Sequence, residues 1–198
     1  MTPVGNVKEI NLYPVKSMAG SSAASADLYW YGLNGDRKYA FVQQGKRSGF
    51  PWLTARELPE LLRYRPHFTN PERPMQGEVR VTSPEGETFE LTSAGMLEHL
   101  QVKLPQPISL LNLNRGTFDV APVSVISTGT LGLLDEALNG FDTRRLRMNL
   151  VLELDAPRAE EAWIGKKLRL GSGPDAAELY LRQRDKRCTV INLDPDTG

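Results

Sequence analysis

The chain has 198 residues, room for one domain or two small ones. Its 24 Lys and Arg balance 24 Asp and Glu, so no global field attracts nucleic acid or an anionic membrane, and any anion site must be a local cluster. One cysteine excludes an internal disulfide, the distant His67 and His99 offer no zinc spacing, and no stretch approaches the ~18 apolar residues of a membrane span.

Taken in chain order, VKEINLY comes first, where Ile10 and Leu12 alternate with polar neighbours at the period of a half-buried strand. Asp27 to Trp30 and KYAFVQQ (38–44) read as further strands, joined through GLNGDR, where Gly32 and Gly35 permit a positive φ. RELPELL (56–62) predicts a single helical turn limited by Pro59. EVRVTS-PEG-ETFELT (78–92) predicts a hairpin. SAGMLEHLQ (93–101) predicts a helix capped by Ser93, with Met96, Leu97 and Leu100 on one face.

Structure breaks at KLPQP, and a domain boundary falls in the stretch 103–120, giving units of 1–110 and 111–198. ISLLNLN and PVSVIS read as strands. TGTLGLLDEALNG reads as a helix with Leu131, Leu134 and Leu138 on one stripe and a stop at Asn139-Gly140. LRMNLVLEL (146–154) predicts a strand buried on both faces, and KKLRLG and AELYLRQ two more strands. The expected class is a β-rich α+β fold with few short helices. The opening MTPVGNVKEI lacks the apolar run of a signal peptide, so a cytoplasmic protein is expected.

Several residues stand out chemically, each with a plain alternative. Cys188 lies beside Arg184, Lys186 and Arg187, and neighbouring cations favour the thiolate that ligates metals or attacks electrophiles; the alternative is an inert small side chain on a strand. Ser127 and Thr128 stand at a strand-to-helix junction, where free N–H groups hold phosphate, or where hydroxyls simply cap the helix. Lys16-Ser17 after LYPV, and Arg37 in GDRK, put cations on turns. Arg147 and Asn149 alternate within the apolar 146–154 run, share a face, and need either a protein partner or an anionic ligand. Glu160-Glu161 reads as a solvated pair, and LDPDTG as a turn.

The order of these segments resembles the MOSC family, named for the C-terminal domain of molybdenum-cofactor sulfurase, together with its N-terminal β-barrel companion. LYPVKSM resembles the companion's opening, and GLNGDRKYAFV with WLTARELPELLRYRP its next stretch. PVSVISTGTLGLLDE resembles the start of the MOSC domain, RRLRMNLVLE its Arg–Asn strand with Leu146 for Phe and Met148 for Pro, and RCTVINLDPDTG its cysteine signature. The resemblance implies an N-terminal barrel-like domain over 1–110 and a MOSC β-barrel over 111–198. Similarity to the amidoxime-reducing component family implies a molybdopterin-type molybdenum cofactor with Cys188 as metal ligand and catalytic residue. Lys16, Ser17, Arg37, Ser127, Thr128, Arg147, Asn149 and Arg187 are the implied cofactor contacts.

The implied activity is reduction of N-hydroxylated compounds, R-NHOH becoming R-NH2 and water. No ferredoxin-like cysteine set is present, so a separate protein is expected to donate the electrons. The alternative is a carrier of the cofactor or of persulfide sulfur without turnover. Family members continue past the signature glycine, here Gly198, so a shortened barrel with an exposed edge is expected, and with it self-association through that edge or a poorly ordered segment after about Cys188.

Overall fold

The computed structural model describes residues 3–46 and 49–198. Among the described residues fifteen strands and α-helices follow one another, beginning with strands β1 (Asn6–Leu12), β2 (Ser21–Ala23), β3 (Leu28–Tyr29), β4 (Gly32–Leu33) and β5 (Tyr39–Gln43). Next come β6 (Arg65–Phe68), β7 (Val79–Thr82), β8 (Thr88–Glu90), helix α1 (Ala94–Gln101) and β9 (Ile108–Asn112). The remainder is β10 (Val125–Ser127), helix α2 (Thr128–Leu138), β11 (Leu150–Glu153), β12 (Lys167–Leu170) and β13 (Ala177–Tyr180). No helix among the described residues is long and apolar enough to cross a membrane.

The chain is strand-rich with two α-helices, but no closed barrel forms among the described residues. The strands fall into separate sheets: β10-β11-β1-β2, β6-β7-β8, and the pairs β5-β9, β3-β4 and β12-β13. Closure needs long tilted strands with a continuous stagger. Here β3 and β4 are two residues each, and among the described residues the β5-β9 ladder meets further chain only through the single bridges Val15–Tyr39 and Val42–Trp52.

The four-stranded sheet positions most of what matters. β1 runs antiparallel to β11, with Ile10 opposite Leu150, so the front of the chain and its last third share one ladder. β10 lies parallel to β11, and α2 supplies the crossover that parallel strands require. Leu150, Val151 and Leu152 are all buried, which is why β11 reads as continuously apolar. The main core packs Val15, Met18, Phe41, Leu53, Tyr64 and Leu100 among others. A second cluster, Ile126, Leu146, Met148 and Val151, receives Leu131 and Leu134 from α2, while Leu138 of the expected stripe lies exposed.

Two local expectations change. Residues 146–149 are not strand: a 3₁₀ turn spans Thr143–Leu146, Arg147 follows at φ 53°, and the ladder starts only at Leu150. The basic segment 181–188 is irregular and largely exposed, so Cys188 does not sit on a strand. Its backbone instead opens a 3₁₀ turn over Thr189–Asn192.

Candidate functional site

Two turns distant from each other in function of sequence pattern, Tyr13–Ser17 and Gly35–Lys38, are bolted together by one carboxylate. Asp36, 2% exposed, accepts the Tyr13 backbone N–H at 2.7 Å and also binds its neighbour Arg37. The Arg37 N–H donates to Tyr13 O at 2.6 Å and the Lys16 N–H to Tyr39 O at 2.8 Å. Thr117 closes the clasp, donating its N–H and its hydroxyl to Arg37 O at 2.8 and 2.9 Å. These bonds hold Ser17 at φ 67° and Arg37 at φ 47°, a left-handed conformation that costs an L-residue roughly 1–2 kcal/mol each. Strain of this kind persists where surrounding structure over-determines it, often at ligand sites.

The Tyr13 ring, buried on the same clasp, carries two guanidinium groups. Arg37 lies 4.8 Å and Arg147 4.4 Å from its centroid. Burial pushes the Tyr13 hydroxyl above its ordinary value, against the pull of the two arginines. Arg37 also reaches Asn149 Oδ1 at 3.4 Å and Arg147 O at 3.3 Å. Arg147 has no carboxylate partner among the described residues, and its Nη2 is shut off from solvent with no hydrogen bond. Burial, reinforced by repulsion from Arg37 and Arg187, pulls its pKa down to about 10. The Asp36 carboxylate, already paired with Arg37, opposes that shift only in part, and a cation shielded from water without an ion-pair partner of its own is costly unless a ligand supplies one.

These groups line one cleft of about 1140 Å³. Lys16, Ser17 and Arg37 come from the two clasped turns, while Arg147, Asn149, Arg187 and Cys188 come from the last third of the chain. Lys16 is 7% exposed; its ammonium donates to Thr117 O at 2.7 Å and pairs with Asp119. Burial lowers its pKa, and the Asp119 carboxylate opposes that shift. Arg187 bonds Asp185 and Leu146 O, tying the cysteine-bearing segment to the 3₁₀ turn before Arg147. Cys188 is a free, exposed thiol on the cleft lining. Among the described residues no group of three or more His, Cys, Asp or Glu gathers to hold a metal ion.

Other expected contacts are spent on the protein itself. The Ser127 hydroxyl accepts the Thr130 N–H at 3.1 Å as the N-cap of α2, and the Thr128 hydroxyl donates to Leu154 O at 2.9 Å. Neither residue lines the cleft. The helix start is also covered: the Gly129 N–H donates to Leu154 O at 2.7 Å, and a Cβ at Gly129 would meet Asp155 O at 2.4 Å. The Ser127, Gly129 and Thr130 N–H groups are thus already engaged within the protein. Asn149, 1% exposed, accepts from the Ser124 N–H and hydroxyl and donates to Asn11 O, so its amide joins β1 to the approach of β10.

The residues that organise the site without standing out in the sequence are Tyr13, Asp36, Thr117 and Asp119. Each acts through a partner more than twenty positions away, apart from the Asp36–Arg37 pair. The DPDTG turn forms as read, with Asp194 Oδ1 accepting the Asp196 and Thr197 N–H groups. Two arginines anchor it: Arg144 binds Asp196 and Arg145 binds Asp194. Residues 4–115, more than half of the chain, match the family model of the MOSC N-terminal beta barrel domain. No curated protein matches the chain.

Proposed function

Since the chain belongs to the MOSC N-terminal beta barrel domain family, which is associated with molybdenum cofactor binding, we propose that its cleft holds a molybdopterin-type cofactor and that the protein reduces N-hydroxylated compounds. The observation that carries this reading is Arg147, a partly buried residue of the cleft lining with one guanidinium nitrogen shielded from solvent and unpartnered, in a cleft that also carries an exposed thiol. The donor set fits the group. Arg147, with Arg37 and Lys16, supplies positive charge for a phosphate, and Cys188 offers the soft sulfur that suits molybdenum.

When bound, the cofactor supplies the two-way electron and oxygen chemistry that no side chain here performs. This chain's residues do the holding. Lys16 and Arg37 sit on a rigid clasp, Arg147 is pre-placed on the Tyr13 ring, and Arg187 fixes the segment that presents Cys188. The division at residue 110 belongs to the proposal, the two parts meeting in the β1–β11 ladder. Electrons are assigned to a separate donor protein, and resemblance to the amidoxime-reducing component supports hydroxylamines and amidoximes as substrates.

A second reading, a carrier of cofactor or persulfide sulfur, draws support from the exposure of Cys188, which a partner protein can reach. Molybdenum and pterin assays on protein purified from a host that makes the cofactor test the binding claim. Near-equal amounts of molybdenum, pterin and protein are expected, and the absence of both would overturn it.

A further inference from the structure

In the hairpin β12-β13, Lys167 stands opposite Tyr180, and the pairing runs one step further: Leu181 donates to Lys166 O at 3.0 Å and accepts the Gly165 N–H at 2.8 Å. Beyond that point only one of the two chains stays straight. The chain before Gly165 curls into a 3₁₀ turn over Ala159–Trp163, while the chain after Leu181 runs to Cys188 with no turn or bend. From Arg182 to Arg187, no backbone N–H or C=O makes a hydrogen bond among the described residues, and all six residues are exposed. Such a run is a strand without a neighbour, and an open strand edge is a template for pairing with another chain.

Side chains of an extended run alternate between two sides. Arg187 pairs with Asp185 two positions back and donates to Leu146 O, which turns the side of 183, 185 and 187 toward the protein. Arg182, Arg184 and Lys186 fall on the other side, in line with Tyr180, which is 65% exposed in β13. Glu161 neutralises Arg184, but Arg182 and Lys186 have no hydrogen bond or ion pair among the described residues. Like charges opposite one another across a ladder repel, so a second copy of this run is a poor neighbour and a strand bearing carboxylates a good one. The two free cations lie four positions apart, about 13 Å at ~3.3 Å per residue. Two acidic residues at the same spacing on the added strand match them.

We propose that residues 182–187 are a docking strand, completed by an extended acidic segment of a partner protein that adds to it through backbone hydrogen bonds. Backbone pairing supplies the register, and Arg182 and Lys186 select the acidic partner. The proposal deepens the proposed function and rests on it only for the partner's role. The run lines the cleft and ends at the exposed Cys188, so a protein seated on it is held beside the thiol.

The test titrates the purified full chain by calorimetry with the peptide acetyl-Glu-Val-Thr-Val-Glu-amide. Wild-type protein is expected to bind it, and to bind a twin with Lys in place of both Glu at least tenfold more weakly. The double variant Arg182→Glu, Lys186→Glu should bind the acidic peptide at least tenfold more weakly than wild type. Both side chains are exposed and bond to nothing, so the variant should fold as wild type does. A peptide N-methylated on Thr and on the Val before it loses one donor from each edge, and wild-type protein should bind it at least tenfold more weakly; this arm needs no variant. Absence of binding, or equal affinity in any of these pairs, overturns the proposal. So does tighter binding of a single-stranded oligonucleotide, or self-association of the chain that the peptide does not displace. Peptide binding needs no molybdenum. Protein that lacks molybdenum and pterin yet binds the peptide overturns the cofactor reading and leaves the docking strand standing; molybdenum-loaded protein that ignores the peptide does the reverse.

Discussion

Replacing Arg147 by methionine tests whether the cleft carries a cation kept for a ligand. Burial pulls the guanidinium well below its ordinary range, to about 10, so holding it charged at neutral pH costs on the order of a few kcal/mol. Methionine preserves most of the side-chain stem and removes the charge. The change also gives up the contact with the Tyr13 ring at 4.4 Å, worth roughly 0.5–2 kcal/mol. Both residues bear the same left-handed backbone, so that cost cancels. The ligand-free Arg147→Met protein should therefore be about 1–2 kcal/mol more stable than wild type. For a chain of this size that raises Tm by about 3–6 °C. Thermal melting is to be followed by circular dichroism in phosphate-free buffer, then repeated with phosphate. Phosphate should raise the Tm of the wild type by mass action and leave that of the variant unmoved. A variant that melts below wild type without phosphate, or gains as much from phosphate, refutes the reasoning.

Other expectations are quicker to check. Gly129→Ala should cost about 1–3 kcal/mol by denaturant titration, because the new Cβ meets Asp155 O at 2.4 Å, whereas Gly132→Ala, with open space around it, should gain about 0.5–1 kcal/mol. Equal effects at the two glycines would contradict the covered helix start. The DPDTG turn should release at acid pH. Arg144 holds Asp196 below its ordinary 3.8, and hydrogen bonds from the Asp196 and Thr197 amides, with Arg145, do the same for Asp194. Their contribution to stability is therefore complete above the ordinary value and lost as pH falls through the depressed one. The Asp196 and Thr197 amide resonances should move with a midpoint below 3.8, and a midpoint at or above it contradicts the anchoring.

Much of the local structure is legible in the sequence because short-range patterns set it. Ser93 caps α1 and accepts the Met96 N–H, with Met96 and Leu100 buried on the face that their spacing predicts. β6 escapes notice because Pro66 reads as a break, yet an edge strand tolerates proline, and Pro66 and Phe68 alternate inward. Polar-apolar alternation in LRMN imitates a strand, but a 3₁₀ turn followed by Arg147 at positive φ turns both Arg147 and Asn149 to the cleft without one. Two hydroxyls at a helix start suit a phosphate and a cap equally, and only the three-dimensional structure shows the Ser127 hydroxyl spent on the Thr130 N–H and the Thr128 hydroxyl on Leu154 O. Glu160 reads as one of a solvated pair because its partners, Ser127 and Thr130, lie thirty or more positions back.

Reduction of hydroxylamine with an artificial electron donor, by molybdenum-loaded wild-type protein and by Cys188→Ser prepared alongside, tests the central claim most directly. Serine keeps the size of the side chain and replaces a soft, ionisable sulfur with a hydroxyl that stays protonated near neutral pH. Cys188 is exposed and packs into no core cluster, so the variant should fold as wild type does. Activity in the wild type and its loss in the variant, with pterin still partly retained by the distant basic residues, is the expected result. Unchanged reductase activity in Cys188→Ser would contradict the account outright.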